Sequence, residues 1–216
     1  MRQSTVIAIA AVTALIMCVA IGFTHPTVIR LVSDRSPFVV FQHAAIPHDD
    51  AFTADLIGDG RKESFILKDG RLTIERDGTA VWRSPFDWWV DQAVVADADN
   101  DGSPNLVMSV WKSGDYGPSR PFWVSANNPA VKNHLFVFKW EDGAMQAVWQ
   151  SSNLVRPNCS IAFADVDNDG QQELVVTEGE YADSNACGPR FLAVWKWDEW
   201  GFTNLWRDSF ASHLRK

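Results

Sequence analysis

Three Asp residues at alternate positions, followed by Gly, occur twice in this chain: Asp97, Asp99 and Asp101 before Gly102, and Asp165, Asp167 and Asp169 before Gly170. Carboxylates spaced this way, with a residue at the sixth position that permits a sharp turn, wrap a short loop around a hard cation, and Ca²⁺ suits such oxygen ligands. Ser103 would add a backbone carbonyl at the seventh position and Asn105 a side-chain oxygen at the ninth. Gln171 and Glu173 take those places in the second copy. A helical EF-hand needs a bidentate acid at the twelfth position. Met108 and Val176 stand there, inside apolar runs, which excludes the EF-hand. The competing reading is a metal-free Asp/Asn/Gly turn, in which three clustered carboxylates repel one another. A degraded version keeps Asp55, Asp59, Gly60 and Glu63 but has Ile57 at the third position, followed by Arg61 and Lys62. It is expected to be a weak metal site at most, with Arg61 or Lys62 as counter-charge.

The elements that position these loops repeat with them, and a repeat governs the fold assignment. Aligned on Gly60, Gly102 and Gly170, each loop lies between a short apolar segment and a β-rich run. A hairpin-like pair follows each time, over residues 72–84, 136–152 and 192–209. Two of these turn at Asp-Gly and the third at Trp-Gly, all credible hairpin signals. Each ends in an aligned Trp: Trp82, Trp149 and Trp206. Four short strands per unit with a recurring aromatic predict propeller-like blades. The run FVVFQ after Pro37 takes the register of a fourth strand whose blade is otherwise missing. The fold class expected is therefore all-β, a propeller-like array of three four-stranded blades plus one extra N-terminal strand.

The run D-x-D-x-D-G-x-x-[DEN]-L resembles the FG-GAP and VCBS repeats of integrin-α-type β-propellers. The resemblance spans about residues 37–210 and is carried by the cation loops and the strand pattern. It implies Ca²⁺-stabilised blades. Closed propellers have four to eight blades, so three leave two arrangements: an open stack, or a homodimer that completes a six-blade ring.

Thr5 to Phe23 carries no charge. It is long enough to cross a bilayer, so residues 1–23 read as a transmembrane signal anchor or a cleaved signal peptide, and 24–36 as a stalk. Residues 211–216 form a tail. The repeat region is then extracytoplasmic, membrane-anchored or secreted, where weak Ca²⁺ sites fill. Formal net charge is −8, which argues against nucleic acid as a partner.

Loops in an up-down blade alternate between two ends. Cys159, at the start of a first strand, and Cys187, in a second-to-third loop, share the end opposite the cation loops. A Cys159–Cys187 disulfide is expected there, in keeping with an oxidising compartment; two free thiols are the alternative. The same end carries long loops over residues 114–133 and 179–189. Trp88, Trp89, Asp115, Tyr116, Arg120, Trp123, Glu180 and Tyr181 are its candidate residues for a protein or glycan ligand. Packing between blades is the competing use of the Trp residues. The chain has no G-x-S-x-G elbow, phosphate loop or H-E-x-x-H, and its His residues do not cluster. A surface interaction module is expected, a lectin-like binder is the alternative, and a hydrolase is less favoured.

Overall fold

The structure, a computed structural model, describes residues 50–115, 122, 128–181 and 187–209, together with the backbone of three two-residue strands nearer the N-terminus. The anchor or signal segment (1–23) and the C-terminal tail lie outside the described residues. Among the described residues no helix is long and apolar enough to cross a membrane.

The described chain forms three large antiparallel sheets, each built on four consecutive strands, and one two-stranded sheet near the N-terminus. Sheet one runs β4 (Asp50–Ala54), β5 (Glu63–Lys68), β6 (Arg71–Arg76), β7 (Thr79–Arg83). Sheet two runs β8 (Trp89–Ala96), β9 (Asn105–Ser113), β10 (Val131–Glu141), β11 (Ala144–Gln150). Sheet three runs β12 (Asn158–Ala164), β13 (Glu173–Glu178), β14 (Phe191–Asp198), β15 (Gly201–Ser209). Near the N-terminus lie β1 (Val28–Ile29), β2 (Val39–Val40) and β3 (His43–Ala44).

The Asp-Gly pairs at 77–78 and 142–143 make tight hairpin turns with both residues at positive φ, the conformation that right-twisted strands favour. The third hairpin differs from expectation. Its turn is Glu199–Trp200, and Gly201 already belongs to β15. The indole of Trp149 lies against Gly201, where a Cβ would come within 2.8 Å of Nε1. Gly201 is there for close approach rather than for turning.

An extra strand from near the N-terminus joins the third sheet. Of residues 37–43 the structure describes Val39, Val40 and His43. β2 pairs with β1, and β3 adds to β12 through Ala44–Ala162 and His43–Phe163, giving sheet three a fifth strand. An edge strand with free backbone groups invites pairing, and β3 covers part of that edge.

Sheet two lies between the others and buries both faces. Ala93, Val95, Leu106, Met108, Phe136 and Phe138 face Phe65, Leu67, Leu72 and Ile74 of sheet one. Val94, Ala96, Val107, Leu135 and Val137 face Ile161, Phe163, Leu174 and Val176 of sheet three. This is why the middle strands read as unbroken apolar runs rather than alternating ones. Burying each such side chain contributes roughly 1.5–3 kcal/mol. The aligned Trp residues lock successive sheets. Trp82 packs on Phe138 of sheet two, and Trp149 on Trp197 and Phe202 of sheet three. Trp206, at the same position in sheet three, is 36% exposed.

Polar bolts complete the stacking. Buried Gln92 donates to Cys159 O (2.8 Å) and accepts from Ile161 N–H (3.0 Å), joining β8 to β12. Buried Asn133 donates to Ser109 Oγ (2.9 Å) and accepts from Asn158 N–H (3.0 Å).

Candidate metal centre

All three Asp-rich loops join the first strand of a sheet to its second, so they share one end of the stack. The sixth-position residues Gly60, Gly102 and Gly170 have φ of 83°, 88° and 87°, a region that side chains with a Cβ enter only with strain. The fourth-position Asn100 and Asn168 are also left-handed, at 56° and 62°, which Asn tolerates best among non-glycine residues. The first-position Asp holds the turn. Asp97 accepts from Gly102 N–H (3.0 Å), Asp165 from Gly170 N–H (3.0 Å) and Asp55 from Gly60 N–H (2.7 Å).

In the second loop, oxygens of Asp97, Asp99 and Asp101 all lie within 4.8 Å of one another. In the third loop the convergent set is Asp165, Asp167 and Glu173. Asp97 Oδ1, Asp99 Oδ1 and Glu173 Oε1 are buried and have no hydrogen-bond partner. Leaving such groups unpaired in a folded interior is costly, and a hard cation satisfies carboxylate oxygens directly. The donor set therefore fits a metal ion: two acidic groups that could hold one. Electrostatics reports the same tension. Burial, and then the like charges of Asp101 and Asp97, push the Asp99 carboxyl above its ordinary range. Burial, and then Asp167 and Asp169, do the same to Glu173.

The ninth-position residue does double duty. Asn105 Oδ1 accepts from Ala98 N–H (2.6 Å) and Asp99 N–H (3.3 Å), so its oxygen is committed to closing the loop. Glu173 uses Oε2 for Val166 N–H (2.9 Å) and keeps Oε1 over. Ser103 and Gln171 are exposed, each donating its N–H to the preceding Asp, Asp101 or Asp169 (both 2.8 Å).

The first loop closes on itself. Asp55 accepts three backbone N–H groups, those of Gly58, Asp59 and Gly60. The loop's main counter-charge is Arg76, and Arg61 adds a weaker electrostatic pull on Asp59. The Arg61 guanidinium itself pairs with Asp77 (2.6 Å). Arg76, from β6, binds Asp59 and stands 3.9 Å from Glu63. The Arg76 hydrogen bond holds the Asp59 carboxyl below its usual range. Lys196, from β14, does the corresponding thing in the third loop, binding Asp169 Oδ2 at 2.5 Å and lowering its pKa. These basic residues were invisible to loop-by-loop reading. The signal that finds them is a cation shortly before each hairpin turn: Arg76, Lys139 and Lys196.

The loops also touch. Asn100 donates to Gln172 O (3.3 Å) and accepts from Gln172 N–H (2.7 Å), clasping loops two and three. The matching positions of loops one and two are Gly58 and Pro104, which can form no such pair. A cleft of about 370 Å³ lies between those loops, lined by Asp55, Lys62, Asp97 and Ser103 among others.

At the opposite end, Cys159 and Cys187 are bonded, with Cα atoms 5.1 Å apart, and the bond fits an extracellular setting. The proposed ligand residues there divide. Trp88 packs inward on Phe136 (4.8 Å) and Phe138 (6.0 Å). Tyr181 donates to Leu154 O (2.7 Å), accepts from Asn133 N–H (3.2 Å) and lies under Lys132, so it braces sheets two and three. Glu180 lies 3.9 Å from Arg190, and Asp115 is half-buried. Trp89 is half exposed and covers Gly70, leaving no room for a Cβ there. Tyr116, Arg120 and Trp123 lie outside the described residues. Phe86 and Phe122, 90% and 94% exposed, stand in loops at this end. No protein-family model, curated protein or solved structure matches the chain.

Proposed function

We propose that the chain is an extracytoplasmic, Ca²⁺-binding interaction module without enzymatic activity, a propeller-like stack of the FG-GAP/VCBS kind held at a membrane by its N-terminal segment. The observation that carries the metal reading is the set of buried carboxylate oxygens without partners in the second and third loops. The ions hold the turn between first and second strands in shape. The ligand, a protein or a glycan, docks at the end that carries the disulfide. The exposed aromatics Phe86, Trp89 and Phe122 support this placement, since aromatic side chains anchor interfaces. Half-exposed Trp89 favours a second, lectin-like version, because the solvent-facing part of an indole can stack on sugars.

Three measurements test the proposal. Chelation of the purified chain is expected to lower unfolding free energy by on the order of 1–4 kcal/mol; an unchanged melting temperature rejects structural Ca²⁺. Glycan-array binding that disappears in Trp89→Ala supports the lectin version. Binding of a protein partner that is indifferent to Trp89→Ala and Phe86→Ala removes the ligand from this end.

A further inference from the structure

Strand register places a basic side chain beside the ninth loop position in all three sheets. Lys139 stands directly opposite Asn105. Lys196 and Glu173 lie one step beyond the Leu174–Trp195 pair, and Arg76 and Glu63 one step beyond Ser64–Glu75. The three cations are engaged differently. Lys139 turns to Glu141 (3.0 Å). Arg76 sits on Asp59, with Glu63 3.9 Å away. Lys196 Nζ lies 2.5 Å from Asp169 Oδ2 and 3.9 Å from Glu173 Oε1.

The consequence is a difference in ligand sets. Where the lysine is bonded outside the loop, to Glu141, and reaches Asp99 and Asp101 only through space, the carboxylates at positions one, three and five converge. In the third loop the fifth-position acid is missing from the convergent set. Both Asp169 oxygens are taken, Oδ1 by Gln171 N–H (2.8 Å) and Oδ2 by Lys196. Glu173, whose side chain is wholly buried, still aims an oxygen without a hydrogen-bond partner into the cluster. The third loop is thus an acidic cluster that could hold a metal ion, with a tethered cation at its rim.

We propose that Lys196 is a built-in competitor for the third loop, which a divalent ion must displace, so that this loop fills after the second and with lower affinity. The inference rests on the reading of these loops as Ca²⁺ sites. A lysine ammonium is a compact charge on a flexible stem and can leave. When it leaves, Asp169 Oδ2 becomes available at the fifth position. Arg76 is the permanent form of the same device. In the first loop Ile57 removes one acid and both Asp55 oxygens accept from backbone donors; Glu63 Oε1 is left without a hydrogen-bond partner there, but it belongs to no convergent acidic group among the described residues, too little for an incoming ion to offset the loss of the guanidinium. The order of filling is then second loop, third loop, and never the first. A single positive charge about 6 Å from a divalent ion, in a water-like medium, weakens binding roughly tenfold.

The test is calorimetric titration of calcium chloride into the metal-free full-length chain, kept in mild detergent on account of its apolar N-terminus. Asp97→Asn with Asp99→Asn silences the second loop and isolates the third. In that background Lys196→Met is expected to raise Ca²⁺ affinity about tenfold, and Lys196→Arg to leave it at or below the parent value. With the third loop silenced by Asp165→Asn and Asp167→Asn, Lys139→Met is expected to change second-site affinity by less than about threefold. An unchanged or weaker third site in Lys196→Met, with second-loop binding intact and an unaltered β-type circular-dichroism spectrum, overturns the proposal alone. Absence of Ca²⁺ binding at both loops of the unmodified chain overturns it together with the reading beneath it.

Discussion

Gln92→Leu removes the bolt between sheets two and three at nearly constant volume. The Gln92 side chain is 7% exposed, and its amide makes two bonds to the backbone of β12, at Cys159 O and Ile161 N. The next residues of β12, Ala162 and Phe163, are the ones that β3 covers, so the two devices share the edge between them. Leucine would leave one buried carbonyl and one buried N–H without partners. Each orphaned group costs about 1–3 kcal/mol, and the added apolar burial returns part of that. The expected loss is roughly 2–4 kcal/mol, a large share of the 5–15 kcal/mol typical of a domain. Urea unfolding followed by circular dichroism and Trp fluorescence measures it, compared at equal slope so that only stability differs. A loss below about 0.5 kcal/mol would refute the claim that Gln92 joins the sheets, because a bolted amide cannot be removed so cheaply.

Three further outcomes follow from named contacts. Arg207 holds the buried Glu178 with two hydrogen bonds, of 2.7 and 2.8 Å; Arg207→Met is expected to cost about 3 kcal/mol by stranding that carboxylate, and denaturant melts would show it. Asn100→Ala breaks the clasp to Gln172 and is expected to cost about 1–2 kcal/mol, with a larger effect in metal-free than in Ca²⁺-loaded protein. His134, 1% exposed and bonded through Nδ1 to Ser151 O, has its pKa lowered, chiefly by burial and also by Lys112, against the opposing pull of the Ser151 backbone and then of Asp115. The unfolded chain therefore takes up the proton first. Stability is full above the unfolded value of about 6.5 and falls on acidification below it until the folded value is passed. An acid slope unchanged in His134→Asn would contradict this.

Much of the fold was legible because its signals are local. Apolar runs flanking Asp-Gly turns marked the strands, and Asp-x-Asp-x-Asp-Gly marked both acidic clusters. The Cys159–Cys187 bond followed from loop alternation. What escaped reading depends on register. Arg76 and Lys196 reach their loops only because β6 and β14 pair next to the ninth position, far away in sequence. Asn105 looked like a ligand but closes its loop through Ala98 and Asp99; an Asn with one oxygen cannot do both, whereas Glu173 can. Tyr181 looked like a binding residue and is a brace, because its hydroxyl finds two backbone partners across sheets. Gly201 looked like a turn residue, and only the position of Trp149 reveals its purpose.

The most direct test of the metal reading is the stoichiometry of Ca²⁺ binding to the metal-free full-length chain. Two ions per chain are predicted, one lost in Asp97→Asn with Asp99→Asn and the other in Asp165→Asn with Asp167→Asn. No binding, or binding that survives all four substitutions together, would contradict the account.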